Sequence, residues 1–273
     1  MNALPDVTLE VLCCGNGINF EQGDLALSGV FLITSFNSSG RRVRTVVDTG
    51  HVGMRRNILA GLVRAGVTAA EIDYVALTHV HWDHVQNVDL FPDATVVLSA
   101  AEYASIQQRT ARDLVTPSWT RHVFDGRAVR GVRPGDDLIP GVTFVDAAGH
   151  TAGSLAFSMT VDGEVAVITG DALPWAEVGR QERSALVFWD LERSQQTIHR
   201  LVDLADVIYP GHDRPFRLVS DEIVYELPYE MTLFGATPET PGLTFGEPPI
   251  LTTIDLTDGE PVGPRWTKEE LQR

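Results

Sequence analysis

The chain is expected to be an α+β protein, two mixed β-sheets packed face to face with helices outside. Three observations predict this. Apolar strand-like runs are followed by stretches of helical period, twice over. The strands are joined mostly by hairpin-type turns, of which Asp162-Gly163 is the clearest. With 273 residues and 44% apolar content, the chain can bury a substantial core.

The elements follow in order. Residues 7–14 read as a first strand. Residues 15–29 are rich in Gly, Asn and Asp and read as a hairpin or loop that carries Phe20. Strands are expected at 30–35 and 41–47, the second ended by Asp48-Thr49-Gly50. Residues 54–65 repeat at helical period, with Gly66 as C-cap. Thr68 with Glu71 has the pattern of a capping box. Residues 73–77 form the next strand, and 85–90 a short helix stopped by Pro92. A strand at 95–98 leads to Ser99, which caps a helix running to about Arg109. Residues 110–134 hold Trp119, His122, Phe124 and many charges, and are expected to be a lid or loop. Strands follow at 142–146, 154–161 and 164–169, then a helix at 194–204 and a strand at 207–209.

Beyond about Ser220, Pro, Thr, Gly and Glu dominate and periodicity fades. The expected division is a catalytic domain, 1–220, and an extension, 221–273, packed on that domain or on the partner subunit of a homodimer.

A formal charge of −16 disfavours nucleic acid and anionic membrane as partners. No apolar run reaches the ~18–20 residues of a membrane span. The first six residues lack the basic-then-apolar pattern of a secretory leader. The two cysteines, Cys13 and Cys14, are adjacent, so no disulfide framework is expected and a reducing cytoplasm fits best. They read as small buried hydrophobes of a strand rather than catalytic groups.

The chemistry concentrates in Thr78-His79-Val80-His81-Trp82-Asp83-His84, behind the apolar run Tyr74-Val75-Ala76-Leu77. Imidazole and carboxylate are ligands that zinc and similar divalent ions prefer. In extended backbone, residues two apart face the same way, so His79 and His81 can converge on one ion. If the chain then turns into a helix, Asp83 and His84 swing toward a second point. Three further apolar runs end in glycine and a ligand-type residue: Gly149-His150, Gly170-Asp171 and Gly211-His212. Glycine there permits positive φ and close backbone approach. His79, His81 and His150 would then serve one ion, and Asp83, His84 and His212 the other. Asp171 would bridge them, with a water or hydroxide shared between the ions. Two carboxylates against two divalent ions leave a site of net positive charge, suited to an anionic nucleophile.

These strings, with Gly149-His150-Thr151-Ala152-Gly153, Thr169-Gly170-Asp171 and Pro210-Gly211-His212 in order, resemble the metallo-β-lactamase superfamily over residues 7–216. The resemblance implies an αββα sandwich with two metal ions at one edge of the sheets. It also implies a structural role for Asp48. Asp171 resembles the bridging aspartate of the dinuclear hydrolases, among them N-acyl homoserine lactonases and glyoxalase II. β-Lactam hydrolysis is not implied, because the true β-lactamases usually lack that aspartate.

The lactonases typically carry a tyrosine shortly after it. Here residues 172–175 are Ala-Leu-Pro-Trp, and no tyrosine occurs between Asp171 and Tyr209. That donor is therefore replaced or missing. Residues 193–216 also resemble small superfamily members of unassigned role.

The expected function is dinuclear metal-dependent hydrolysis of a carboxylic ester, foremost a lactone. Zinc is the first expectation for the metal, with iron or manganese compatible. A thioesterase of the glyoxalase II type and a phosphodiesterase or nuclease on the same metals are the alternatives. Asp83 and Asp171 are the expected catalytic residues. Phe20, Trp175 and Phe188 are candidates to line a pocket for a small-molecule substrate, since ligand pockets are largely apolar. Trp189 belongs to the same segment. His51 could reach the metal rim, although a supporting role is the stronger expectation. His122 and His199 have no motif around them.

Overall fold

Strand Val30–Phe36 sets the layering, because its alternate residues serve two different cores. Val30 and Leu32 join Val46, Val75, Leu77, Val96 and Leu98 beneath Ile58 and Leu62 of helix Arg55–Arg64. Phe31 and Ile33 face the other way, with Val47, Ala76 and Val97, onto Phe144, Phe157, Met159 and Ile168 of a second sheet. The far face of that sheet carries Ala156, Val167 and Ile208 against Val178, Ile198 and Leu201 of helices Ala176–Gln181 and Leu191–Leu204. Three apolar interfaces thus separate four layers, helix–sheet–sheet–helix. Truncating a fully buried centre-layer residue such as Phe157 to alanine should cost about 3–5 kcal/mol.

The computed structural model describes residues 7–20, 23–107 and 114–228, with the short strands Thr232–Leu233, Leu243–Thr244 and Ile254–Asp255. The first sheet runs Thr8–Cys13, Val30–Phe36, Arg42–Val47, Tyr74–Ala76, Thr95–Ser99, Val129–Val132. Its first three strands are antiparallel and its later pairings parallel. The second runs Glu222–Tyr225, Phe216–Val219, Val207–Pro210, Glu164–Gly170, Leu155–Val161, Val142–Asp146, Asp137–Ile139. Only Glu164–Gly170 and Val207–Pro210 pair in parallel there. Both sheets are therefore mixed, as expected.

The Asp162-Gly163 turn has φ of 52° and 87°, both positive, as a two-residue hairpin of matching twist requires. Residues 15–29 form the hairpin Asn16–Phe20/Gly23–Leu27. Thr68 and Glu71 do form a capping box, but over a single 3-10 turn, Ala69–Glu71. Ser99 Oγ accepts from Glu102 N at 2.9 Å, capping the helix Ala100–Gln107; the expected end near Arg109 lies outside the described residues.

Two expectations are corrected. The stretch 110–134 is not all lid or loop, since Thr120–Phe124 is a 3-10 helix and Val129–Val132 is the edge strand of the first sheet. Charge on an edge strand hides its period, because only one residue, Val132, is buried. The expected 85–90 helix begins earlier, at Trp82, and ends at Val85; only Val88–Leu90 resumes, as a 3-10 turn. Asn87 interrupts it, at φ −109° and ψ 22°, with its side-chain amide given to the carbonyls of Thr49, Gly50 and His51. Helix Ala176–Gln181 and the strands Asp137–Ile139, Phe216–Val219 and Glu222–Tyr225 were not foreseen.

Five strands deliver their C-terminal ends to one place. Arg42–Val47 leads to Asp48, Tyr74–Ala76 to the His79–His84 string, Val142–Asp146 to His150, Glu164–Gly170 to Asp171 and Val207–Pro210 to His212.

Candidate metal centre

His79, His81, His150 and Asp171 form one buried cluster, and Asp83, His84 and His212 form a second. Within each, the ligand atoms lie within 4.8 Å of one another. Asp171 faces both. Its Oδ2 is 3.4 Å from His150 Nε2 and 3.9 Å from His79 Nε2, and its Oδ1 is 3.3 Å from the Nε2 atoms of both His84 and His212. Asp83 Oδ2 stands 3.3 Å from His212 Nε2 and 3.6 Å from His84 Nε2.

The surrounding hydrogen bonds fix which ring nitrogen faces inward. Asp48 is nearly fully buried, and its Oδ2 accepts from His84 Nδ1 at 2.8 Å. The same oxygen accepts from Thr78 Oγ1 at 2.8 Å, while Oδ1 accepts from Thr78 N at 2.8 Å. The Thr78 hydroxyl hydrogen is thereby used, so His79 Nδ1, 3.0 Å away, donates to Thr78 Oγ1. His150 Nδ1 donates to Leu186 O at 2.9 Å, and His212 Nδ1 donates to Leu27 O at 3.1 Å. Four imidazoles thus have Nδ1 tied outward and Nε2 turned toward Asp171. His79 Nε2, His84 Nε2 and Asp171 Oδ1 are buried with no hydrogen-bond partner. Buried polar atoms without partners are costly unless something satisfies them. A nitrogen and oxygen donor set of this kind fits two divalent metal ions.

The electrostatics split the clusters. Burial holds the His79 and His150 pKa values below the ordinary range, with neighbouring imidazoles adding to the effect at His79. Burial also opposes charging of His84 and His212, but carboxylates win there. Asp83, Asp171 and Asp48 lift His84 well above normal, and Asp171 with Asp83 lifts His212 to about 10. The carboxylates respond in kind: burial opposes their ionisation, yet His84 and His212 hold Asp83 low and Asp171 well below its usual range. Without metal, the second cluster is therefore an imidazolium–carboxylate network, and ions entering it must displace protons.

Glycine makes the convergence possible. Gly149 has φ of 142°, and a Cβ on Gly211 would collide with Asp171 Oδ1. Several supporting residues carry no sequence signal. Buried Glu102 accepts from Val80 N at 3.1 Å through Oε1, and from Gly153 N at 3.0 Å and Thr151 Oγ1 at 2.9 Å through Oε2. It thereby ties the loop of His79 and His81 to that of His150. Ser28 Oγ donates to Asp83 O at 2.7 Å, anchoring the base of the early hairpin to the metal loop.

Phe188 is half-buried, its ring edge-on to His81 at 4.9 Å and to His150 at 5.2 Å between centroids. Trp175, also half-buried, borders the early hairpin: a Cβ on Gly17 would meet its Nε1 at 3.3 Å and His212 Cβ at 3.8 Å. Phe20 pairs by backbone with Gly23 in that hairpin; its side chain lies outside the described residues. Trp189 is exposed. Tyr209 packs edge-on to Phe31 at 5.7 Å, so it belongs with the inter-sheet core. His122 and His199 are exposed and paired with Asp125 and Glu182. The cysteines are not both buried strand residues as expected: Cys13 ends the first strand half-buried, and Cys14 lies past it and is exposed. Desolvation still raises the Cys13 thiol to about 11 and also raises Cys14, which makes both poor nucleophiles.

The four layers and the paired His/Asp clusters define a class. The sequence model of the metallo-beta-lactamase superfamily matches residues 30–212, and the chain belongs to that superfamily. It is similar to metallo-beta-lactamase domain-containing protein 1 of Xenopus laevis, 28% identical over 182 residues, spanning 64% of this chain and 68% of that protein. Against the human and mouse counterparts the match spans 60% and 62% of their length. An N-acyl homoserine lactonase of Bacillus cereus is 20% identical over 162 residues, covering 57% of this chain and 62% of that one. Among solved structures, a B. thuringiensis AiiA variant with N-decanoyl-L-homoserine at its active site superposes with a TM-score of 0.61. It is 17% identical, over 77% of this chain and 94% of that one, and shares the fold. No helix among the described residues is long and apolar enough to cross a membrane.

Proposed function

We propose that this chain is a dinuclear metal-dependent hydrolase of a carboxylic ester, a lactone foremost. One observation carries the two-metal reading: the two oxygens of Asp171 address different clusters, Oδ2 at 3.4 Å from His150 Nε2 and Oδ1 at 3.3 Å from His84 and His212 Nε2. His79, His81 and His150 would hold one ion and Asp83, His84 and His212 the other, with Asp171 serving both. Zinc suits this donor set first, and iron or manganese can take the same ligands. Such ions, when bound, lower the pKa of water toward neutrality and polarise a carbonyl oxygen.

The chain's own residues do the rest. Asp83 Oδ2 orients the attacking water and passes its proton to the leaving alkoxide. Phe188 and Trp175 offer apolar surface to the acyl part and keep bulk water away. A ring ester suits this arrangement, because its leaving alkoxide stays tethered beside the site. The lactonase among the relatives supports the same substrate class.

We read the chain as a cytoplasmic enzyme acting on a small molecule. Residues 221–273 are read as an extension packed on the catalytic domain, 1–220, or on a partner subunit. Strand Glu222–Tyr225 continues the second sheet, and Ile254–Asp255 pairs in parallel with Leu186–Val187, whose Leu186 carbonyl holds His150.

The test is kcat/KM of one metallated sample on lactones, thioesters, bis-phosphodiesters and β-lactams. The lactones are expected to lead. A phosphodiester preferred by ~100-fold, about 2.7 kcal/mol of transition-state binding, would overturn the reading.

A further inference from the structure

His51 packs beside Trp82 of the metal-bearing string with a hydrogen-bond donor left over. Its carbonyl accepts from Asn87 Nδ2 at 2.7 Å and from Met54 N at 2.9 Å, which pins the backbone. Its Nδ1 accepts from Gly53 N at 3.0 Å. A backbone amide can only donate, so Nδ1 is the acceptor and the ring proton sits on Nε2. Gly53 is needed there, since a Cβ would meet His51 Cε1 at 2.6 Å. The ring packs against Trp82 at 5.7 Å between centroids, and Trp82 lies between His81 and Asp83 in the metal-bearing string. Yet Nε2 is buried with no hydrogen-bond partner. The residue as a whole is half-buried, and the adjoining Val52 is exposed.

A donor locked in tautomer, position and orientation, and left without an acceptor, is arranged for something that arrives. We propose that His51 Nε2–H donates to a carbonyl or carboxylate oxygen of the substrate and positions it beside the metal centre. This rests on the hydrolase reading above. His51 is then a substrate-positioning residue outside the metal ligand set. Its neighbour Trp82 supplies the apolar wall that shields this bond from water, where a hydrogen bond counts for more.

Two substitutions separate this role from a structural one. His51→Asn keeps an oxygen near Nδ1 for Gly53 N–H but deletes the outer donor. His51→Gln puts an amide N–H near the place of Nε2. The zinc-loaded full chain and both variants are compared by calorimetric titration with 4-hydroxybutyrate and by turnover of γ-butyrolactone. Expected for His51→Asn are unchanged zinc content and Tm, about tenfold weaker 4-hydroxybutyrate binding, and KM raised about tenfold with kcat within threefold. His51→Gln should recover most of both losses. Binding within twofold of the parent in His51→Asn, or no recovery in His51→Gln, overturns the proposal. So does a parent protein that binds neither probe. If the parent binds 4-hydroxybutyrate but hydrolyses no ester, the hydrolase reading falls while the binding comparison still decides the role of His51.

Discussion

Replacing Asp48 with asparagine isolates what one buried carboxylate does for two metal ligands. Asp48 lies at φ 56°, in the left-handed region that Asn tolerates as well as Asp, so the change adds no backbone strain. The carboxylate accepts three hydrogen bonds at 2.8 Å, from Thr78 N, Thr78 Oγ1 and His84 Nδ1. An amide has one oxygen. In one orientation its NH2 confronts Thr78 N–H; in the other it confronts the threonine hydroxyl and the His84 ring. At least one charge-assisted bond is lost, worth about 1.5–3 kcal/mol. His84 also loses the acceptor that keeps its proton on Nδ1, and His79 loses part of its support through Thr78. Loss of such supporting partners typically costs about 10–100-fold in metal affinity, roughly 1.4–2.7 kcal/mol. Asp48→Asn is therefore expected to bind zinc 10–100-fold more weakly at the His84 cluster and less affected at the His79 cluster. Chelator competition resolves the two affinities, and circular dichroism checks the fold. A folded variant with both affinities within twofold of the parent would refute the reasoning.

Other outcomes follow from the same geometry. Asp171→Ala should abolish ester turnover while the far-ultraviolet spectrum stays native, because its contacts are ligands rather than core; near-normal rates with two metals bound would rule out bridging. In the metal-free protein, the folded-state pKa of His212 is raised from 6.5 to about 10. Its stabilising contribution is therefore complete below about 6.5 and lost as pH rises through about 10. Denaturant titrations of metal-free protein should show that decline, and calorimetry in two buffers at pH 7.5 should show protons released on zinc binding; a flat profile without release would contradict the network. Ending the chain after residue 228 should remove the strand beside Leu186–Val187 and loosen the support of His150. Zinc affinity at the His79 cluster should then fall several-fold with the fold retained, and unchanged affinity would detach the extension from the site.

The metal ligands were legible because they are concentrated. Four lie within six positions, and the other three each follow a glycine at the end of an apolar run, where a backbone must turn sharply and pack closely. What holds them was not. Glu102 sits on a short helix in the run Ala-Ala-Glu-Tyr, where a glutamate ordinarily marks the solvated face. Only the fold shows that it bridges two ligand loops. Leu27 and Leu186 contribute backbone carbonyls, which leave no trace in residue type. Asn87 reads as an unremarkable helical residue, although its amide, spent on three carbonyls, breaks the helix. Edge strands such as Val129–Val132 alternate too weakly to be read, since one face and one edge meet water. The burial of Val30–Phe36 and its neighbours on both faces, in contrast, is visible as continuous apolar runs, which is what such strands produce.

The central claim is that two metal ions share Asp171, and metal stoichiometry tests it most directly. The purified chain, stripped and remetallated with zinc, then freed of excess metal, is assayed by mass spectrometry against protein concentration. The account predicts two equivalents per chain, both retained at neutral pH. A reproducible value of one equivalent or less, with zinc and again with iron or manganese, would contradict it.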